Sequence, residues 1–174
     1  MSVSGKHLLT FAVIADTHMN QSEDTSSSPY PANALANART RRVVAELNRR
    51  DLEFVVHLGD LVNPVPELPT YEDAANHFKT QMAALKAPLY LVPGNHDVGD
   101  KPVSWMPAGR VNDDNLALYE SRFGRHYFAF DHCDLPFIIV NSQIINSGLA
   151  ADTPHSASLA AGTAASARNR AFSG

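Results

Sequence analysis

Cysteine is almost absent: Cys133 is the one thiol in 174 residues, so an internal disulfide is excluded. A single thiol with no metal-ligand set around it reads as a turn residue, and scarce cysteine fits a reducing compartment. Charge is also sparse, at 18% of residues with a net charge of −4. Such a balance gives no general attraction to nucleic acid or anionic lipid, so neither partner is expected. Long apolar runs are missing as well. Residues 8–15 are too few to span a bilayer, and Asp16 and His18 follow them where a leader peptide would have its small-residue cleavage site. The expectation is a cytoplasmic soluble protein. What remains is enough for one domain, since 44% of residues are hydrophobic.

Residues 8–15 (Leu-Leu-Thr-Phe-Ala-Val-Ile-Ala) are short, β-rich and apolar on both faces, which predicts a strand buried inside a sheet. They end in Asp16-Thr17-His18, and a polar loop rich in serine and proline follows. A helix is expected from about Asn33, with Ala36, Val43, Val44 and Leu47 inward and Arg39, Arg42, Arg49 and Arg50 outward. Residues 53–58 form a second buried strand that runs into Gly59-Asp60. After a loop stiffened by Pro64, Pro66 and Pro69, Thr70 should cap a helix. The inner face of that helix is Tyr71, Ala74, Ala75, Phe78, Met82 and Leu85. Pro88 ends it, and a third strand, 89–92, leads into Gly94-Asn95-His96-Asp97.

Strand, helix, strand, helix, strand implies an α/β fold with a mostly parallel sheet and right-handed crossovers. A shorter helix should cover 113–123, with Leu116, Tyr119 and Phe123 inward and Gly124 as its stop. A hairpin follows, its strands at 126–130 and 135–140, with His126 and His132 as surface or hairpin residues. Residues 150–174 are mainly Ala, Ser, Thr and Gly. They offer no periodic face to bury, so disorder or a weak Ala-rich helix is expected, with no ligand role for His155.

Each of the three strands delivers polar residues at its C-terminal end, the edge of an open α/β sheet where ligands bind. Two carboxylates, an imidazole and a carboxamide make a mixed nitrogen and oxygen donor set without thiolate, suited to Mn, Fe or Zn. Asp16 and His18 can reach one cation, and Gly59 lets the chain turn so that Asp60 projects as a bridging carboxylate. Asn95 adds a neutral oxygen, His96 would face a substrate, and Asp97 could orient the His96 ring. His57, inside its strand, reads as a core or supporting histidine.

These three motifs, in this order, resemble the calcineurin-like metallophosphoesterase superfamily, whose pattern is D-x-H, G-D-x-x, G-N-H-[DE], a lone His and G-H-x-H. Residues 92–99 look most like its serine/threonine phosphatase and cyclic-nucleotide phosphodiesterase branches, and the Tyr127-Phe-Ala-Phe130 and Ile139-Val-Asn-Ser-Gln143 stretches look like the phosphatase branch. The resemblance covers 8 to about 149. It implies a β-sandwich flanked by helices and a dinuclear site that hydrolyses phosphoesters of protein, nucleotide or small-molecule origin. Carried over, Asp16 and His18 hold the first metal, Asp60 bridges, Asn95 holds the second, and His96, with Asp97 behind it, assists the leaving group.

The lone His and G-H-x-H have no counterpart: after Asp97 the histidines are His126, His132 and His155, without the required neighbours. The second metal would keep only Asp60 and Asn95, and most of the second sheet would be missing, leaving the first sheet partly open. The expectation is therefore the N-terminal part of such a domain, 1–149, followed by the 150–174 tail, as a truncated or frame-shifted product with impaired hydrolysis. The alternative is an inactive remnant that binds one metal or phosphate, or a non-enzymatic interaction module. Nothing in the sequence fixes an oligomeric state.

Overall fold

The computed structural model describes residues 5–101, 109–157 and 159–160. Three parallel strands, β1 (Phe11–Ile14), β2 (Phe54–His57) and β3 (Leu89–Leu91), pair in the order β1-β2-β3, with Phe11 beside Phe54 and Val56 beside Tyr90. A 3-10 turn (Pro31–Leu35) and helix α1 (Ala36–Leu47) make the first crossover, and α2 (Tyr71–Met82) makes the second. The one-turn α3 (Asn95–Val98) and then α4 (Asp113–Phe123) lead to a hairpin of β4 (Phe128–His132) and β5 (Leu135–Ile139). The fold is mixed α/β, a parallel sheet with a small antiparallel one, as the resemblance noted above implies for part of such a domain.

Alternation along β2 sends its side chains to two different layers. Phe54 meets Phe130 and Phe137 of the hairpin at ring separations of 5.4 and 5.0 Å. Tyr90 of β3 stacks on Phe130 at 4.0 Å. His57 instead faces Phe78 of α2, at 5.7 Å. On that side Tyr71, Ala74, Phe78 and Met82 of α2 close a core with Val44 of α1 and Leu116 and Tyr119 of α4. Burying a side chain the size of Phe78 contributes about 1.5–3 kcal/mol.

Helix ends follow local chemistry. Asn112 caps α4 by accepting from the Asn115 N–H at 2.8 Å, and Gly124 ends it at φ 91°. Thr70 stands at the start of α2, but its side chain makes no capping bond; Glu72 and Asp73 in the first turn complement the helix dipole instead. The hairpin turns through Cys133 and Asp134 at φ 48° and 60°, the left-handed pair that a two-residue connection needs.

Several expectations are corrected. β1 is shorter than the apolar run and is not buried on both faces: it is an edge strand, and although Phe11 stacks on Phe54 at 4.9 Å and meets Phe137 of the hairpin edge-on at 5.7 Å, Phe11 stays 40% and Val13 51% exposed. Val43 points to solvent, because the buried stripe of α1 is Ala36, Asn37, Thr40 and Val44. His126 is buried, its ring beside the Asn141 amide at 3.2 Å. In the tail, residues 152–157 are helical, the second of the two forms expected there, and His155 is buried with its ring edge-on to Tyr127. The remainder of the tail, 161–174, lies outside the described residues.

Candidate metal centre

The three strand ends are pinned together by their backbones before any side chain acts. Asp16 N–H donates to Gly59 O (3.0 Å), His18 N–H to Asp60 O (3.0 Å), and Met19 N–H to Leu61 O (3.1 Å). To make these bonds, Asp16, His18 and Asp60 adopt φ of 54°, 40° and 55°. Left-handed backbone is uncommon outside glycine and persists where its surroundings over-determine it, which concentrates at functional sites. Gly59 and Gly94 touch backbone to backbone. A Cβ on Gly59 would come within 2.6 Å of the Pro93 carbonyl carbon, and one on Gly94 within 2.5 Å of Asp60 N. Only two glycines allow the second and third turns to approach this closely.

Asp97 completes the lock. Its carboxylate accepts from the backbone N–H groups of Asp60 (2.8 Å), Leu61 (3.0 Å) and Gly94 (2.8 Å). The group is fully buried, and burial, with the nearby Asp60 charge, outweighs those three donors and pushes its pKa up to about 7. The ring-orienting role expected for Asp97 is filled by another group: His96 Nδ1 lies 3.2 Å from Asn63 O. A carbonyl only accepts, so Nδ1 carries the proton and Nε2 is left free on the neutral ring.

Side chains then converge. His18, Asp60 and His96 each offer a ligand atom, all within 4.8 Å of one another. His18 Nε2 lies 3.5 Å from Asp60 Oδ2 and 3.7 Å from Asp16 Oδ1, while Asp60 Oδ1 accepts from His96 N–H at 3.0 Å. The His18 and His96 rings meet edge-on at 4.7 Å. Burial lowers the His18 pKa, against the raising effect of Asp60, which favours the neutral, ligating form. Imidazole nitrogens and carboxylate oxygens aimed at one point fit a divalent transition metal. Among the described residues, this is the one group of three or more His, Cys, Asp or Glu side chains gathered in that way.

Of the six residues singled out in the sequence, Asp16, His18, Asp60 and His96 meet here. Asn95 sits at the head of α3, and its side chain hydrogen-bonds the buried Asp100 carboxylate. His132 lies apart, against Glu53 and Phe54, and His126 and His155 pack around Tyr127. Sequence reading missed Asn63, whose contribution is a backbone carbonyl and leaves no side-chain signature. It also missed Asp100, although that residue stands in the same glycine-rich stretch as Asn95. Next to the cluster opens a cleft of ≈ 150 Å³ lined by Asp16, Thr17, His18, Arg39 and Thr40 among others.

Comparison with known proteins agrees with this geometry. The family model for calcineurin-like phosphoesterase matches residues 9–153. The chain is 30% identical over 95 residues to a protein named Serine/threonine-protein phosphatase CPPED1 in Bos taurus, covering 53% of this chain and 28% of that one. The Homo sapiens protein of the same name is 28% identical over 108 residues, 60% of this chain and 32% of its own. The chain thus spans less than a third of the length of these curated relatives.

Proposed function

Because the chain belongs to the calcineurin-like phosphoesterase family, we propose that its strand-end cluster is a metal-dependent phosphoester-hydrolysing site. The observation that carries this reading is the convergence of His18, Asp60 and His96 on one point, with Asp16 at the rim. His18 and Asp60 would hold a divalent cation, with Asp16 completing its ligands from the exposed side. Asp60 would also share a second cation with Asn95, and Mn, Fe and Zn all suit the donor set. Cations held here supply Lewis-acid stabilisation of charge developing on the phosphoryl oxygens.

The chain's own residues do the rest. His96, its Nδ1 proton held by Asn63 O, presents Nε2 toward the cluster, where a protonated ring could supply the leaving group with a proton. Arg39, on the wall of the adjoining cleft, adds positive charge for an anionic substrate. The names of the relatives make phosphoserine and phosphothreonine peptides the first substrates to try, with nucleotides and small phosphoesters next. A lone exposed thiol at Cys133 is consistent with a reducing, cytoplasmic setting.

A second reading is favoured by one feature: Asn95 is engaged by Asp100, and the described residues gather a single three-ligand group. On that reading the chain binds one cation or phosphate without turnover. The test is hydrolysis of an aryl phosphate by the purified chain with added Mn²⁺, with and without a chelator, beside Asp60→Asn. Asn tolerates left-handed backbone, so the variant keeps the turn. Metal-dependent turnover that falls at least about a hundredfold in Asp60→Asn supports hydrolysis. Metal binding with no turnover supports the second reading, and turnover unchanged in the variant refutes the site.

A further inference from the structure

We infer that His57 and Thr17 form a side-chain clamp that fixes the two ligand-bearing turns against each other, making His57 a positioning residue for a metal centre it does not touch. This rests on the reading of His18, Asp60 and His96 as a cation site.

The proton arrangement follows from the geometry. Thr17 Oγ1 lies 2.8 Å from Leu61 O and 2.9 Å from His57 Nε2. The carbonyl can only accept, so the hydroxyl proton goes to Leu61, and the hydroxyl must then accept from a His57 Nε2–H. A neutral ring protonated at Nε2 has a lone pair at Nδ1, and Gly59 N–H donates to that atom at 3.2 Å. One chain of three hydrogen bonds results: Gly59 N–H to Nδ1, Nε2–H to Thr17 Oγ1, and Oγ1–H to Leu61 O. Each donor along it is used once, and Leu61 O, with two lone pairs, also accepts from Met19 N–H, so no donors clash.

Its course is what gives it a role. The chain leaves from the residue before Asp60, crosses to the residue between Asp16 and His18, and returns to the residue after Asp60. It therefore encloses Asp60 and seizes the Asp16–His18 turn at its middle. Those are the three ligand-bearing residues with φ of 54°, 40° and 55°, which need over-determination to stay where they are. His57 is fully buried on the helix side of β2, where water does not compete for these bonds. A histidine that only filled space beside Phe78 would have no need of a threonine hydroxyl and a turn amide on its two nitrogens. Groups that orient metal ligands from behind typically alter metal affinity by ten- to a hundredfold when removed.

The probe is Co²⁺, titrated into the full chain and followed by its visible absorption, with urea unfolding run on each protein. Thr17→Val keeps the shape and deletes the hydroxyl; Thr17→Ser restores it; His57→Leu removes both ring contacts. The clamp predicts that Thr17→Val and His57→Leu each weaken Co²⁺ binding about ten- to a hundredfold. It further predicts that Thr17→Ser binds as the parent does, and that the double variant is no weaker than the worse single one. Thr17→Val remaining folded and binding Co²⁺ as tightly as the parent overturns the clamp while leaving the metal site standing. A parent chain that binds no Co²⁺ overturns the metal site, and the positioning role with it. The ring ¹⁵N spectrum gives a metal-independent check: an Nδ1–H tautomer for His57 overturns the clamp whatever the titration shows.

Discussion

The two faces of the three-stranded sheet are held by different kinds of force. On the hairpin side, Phe54, Tyr90, Phe130 and Phe137 pack ring against ring, with separations between 4.0 and 5.6 Å. Those contacts are large in area and tolerant in direction, and they fade toward β1, where Phe11 and Val13 reach solvent. At the end of the helix side, His57, Thr17 and Asp97 hold turns by single hydrogen bonds of 2.8 to 3.2 Å, each with a defined donor and acceptor. Apolar burial supplies stability without much precision. Directed bonds between buried polar groups supply position and add modestly to stability, since a net hydrogen bond is worth about 1 kcal/mol.

If that division is right, the two sides should fail differently. Phe54→Ala should cost about 3–5 kcal/mol of unfolding free energy, because Phe54 is buried and joins the hairpin to the sheet. Among molecules still folded, Co²⁺ affinity should stay as it was; a parallel loss of affinity would show that the hairpin face positions the site too.

A smaller and pH-dependent effect belongs to His57. Burial pulls its pKa from 6.5 down to about 3 in the folded chain. Between those values the unfolded state binds the extra proton, so this residue makes stability fall as pH drops from about 6.5 toward 3. His57→Gln removes that contribution. Comparing urea unfolding at pH 7 and 4.5, the variant should lose about 2–3 kcal/mol less than the parent. Equal losses would mean that the ring is not held neutral.

Least affected is the open edge. Val13→Thr should change stability by less than about 0.5 kcal/mol. It should also reduce concentration-dependent association in sedimentation, since it removes an apolar group from an exposed strand. No change in association would show that the edge is already protected.

The sequence told the polar end of the sheet better than its apolar edge. Strand, helix and motif order could be read because apolar periodicity and glycine spacing are local signals, and Asp16, His18, Asp60 and His96 do meet. The 113–123 helix was legible to the residue for the same reason, with Gly124 as its stop, while its Asn112 cap went unread. What could not be read depends on how distant segments lie. Whether Phe11 is covered depends on where the hairpin comes to rest, and the burial of His126 depends on Asn141. The role of Asp97 was misjudged because sequence adjacency pointed to His96, whereas its real partners are amides 36 and 37 residues earlier. Asn63 acts through its main chain, which every residue possesses.

The wide spacing of the site along the chain has a kinetic consequence. Thr17 and Leu61 are 44 residues apart, Asp60 and His96 another 36, and parallel pairing of β1, β2 and β3 must precede both meetings. Contacts this far apart form slowly, because two crossovers have to close before any reward is collected. No fragment holding one strand and its turn can assemble the ligands. During refolding, Co²⁺ colour should therefore rise with the last phase of sheet assembly and not with early helix formation. The metal becomes a clock for the moment at which the third strand docks.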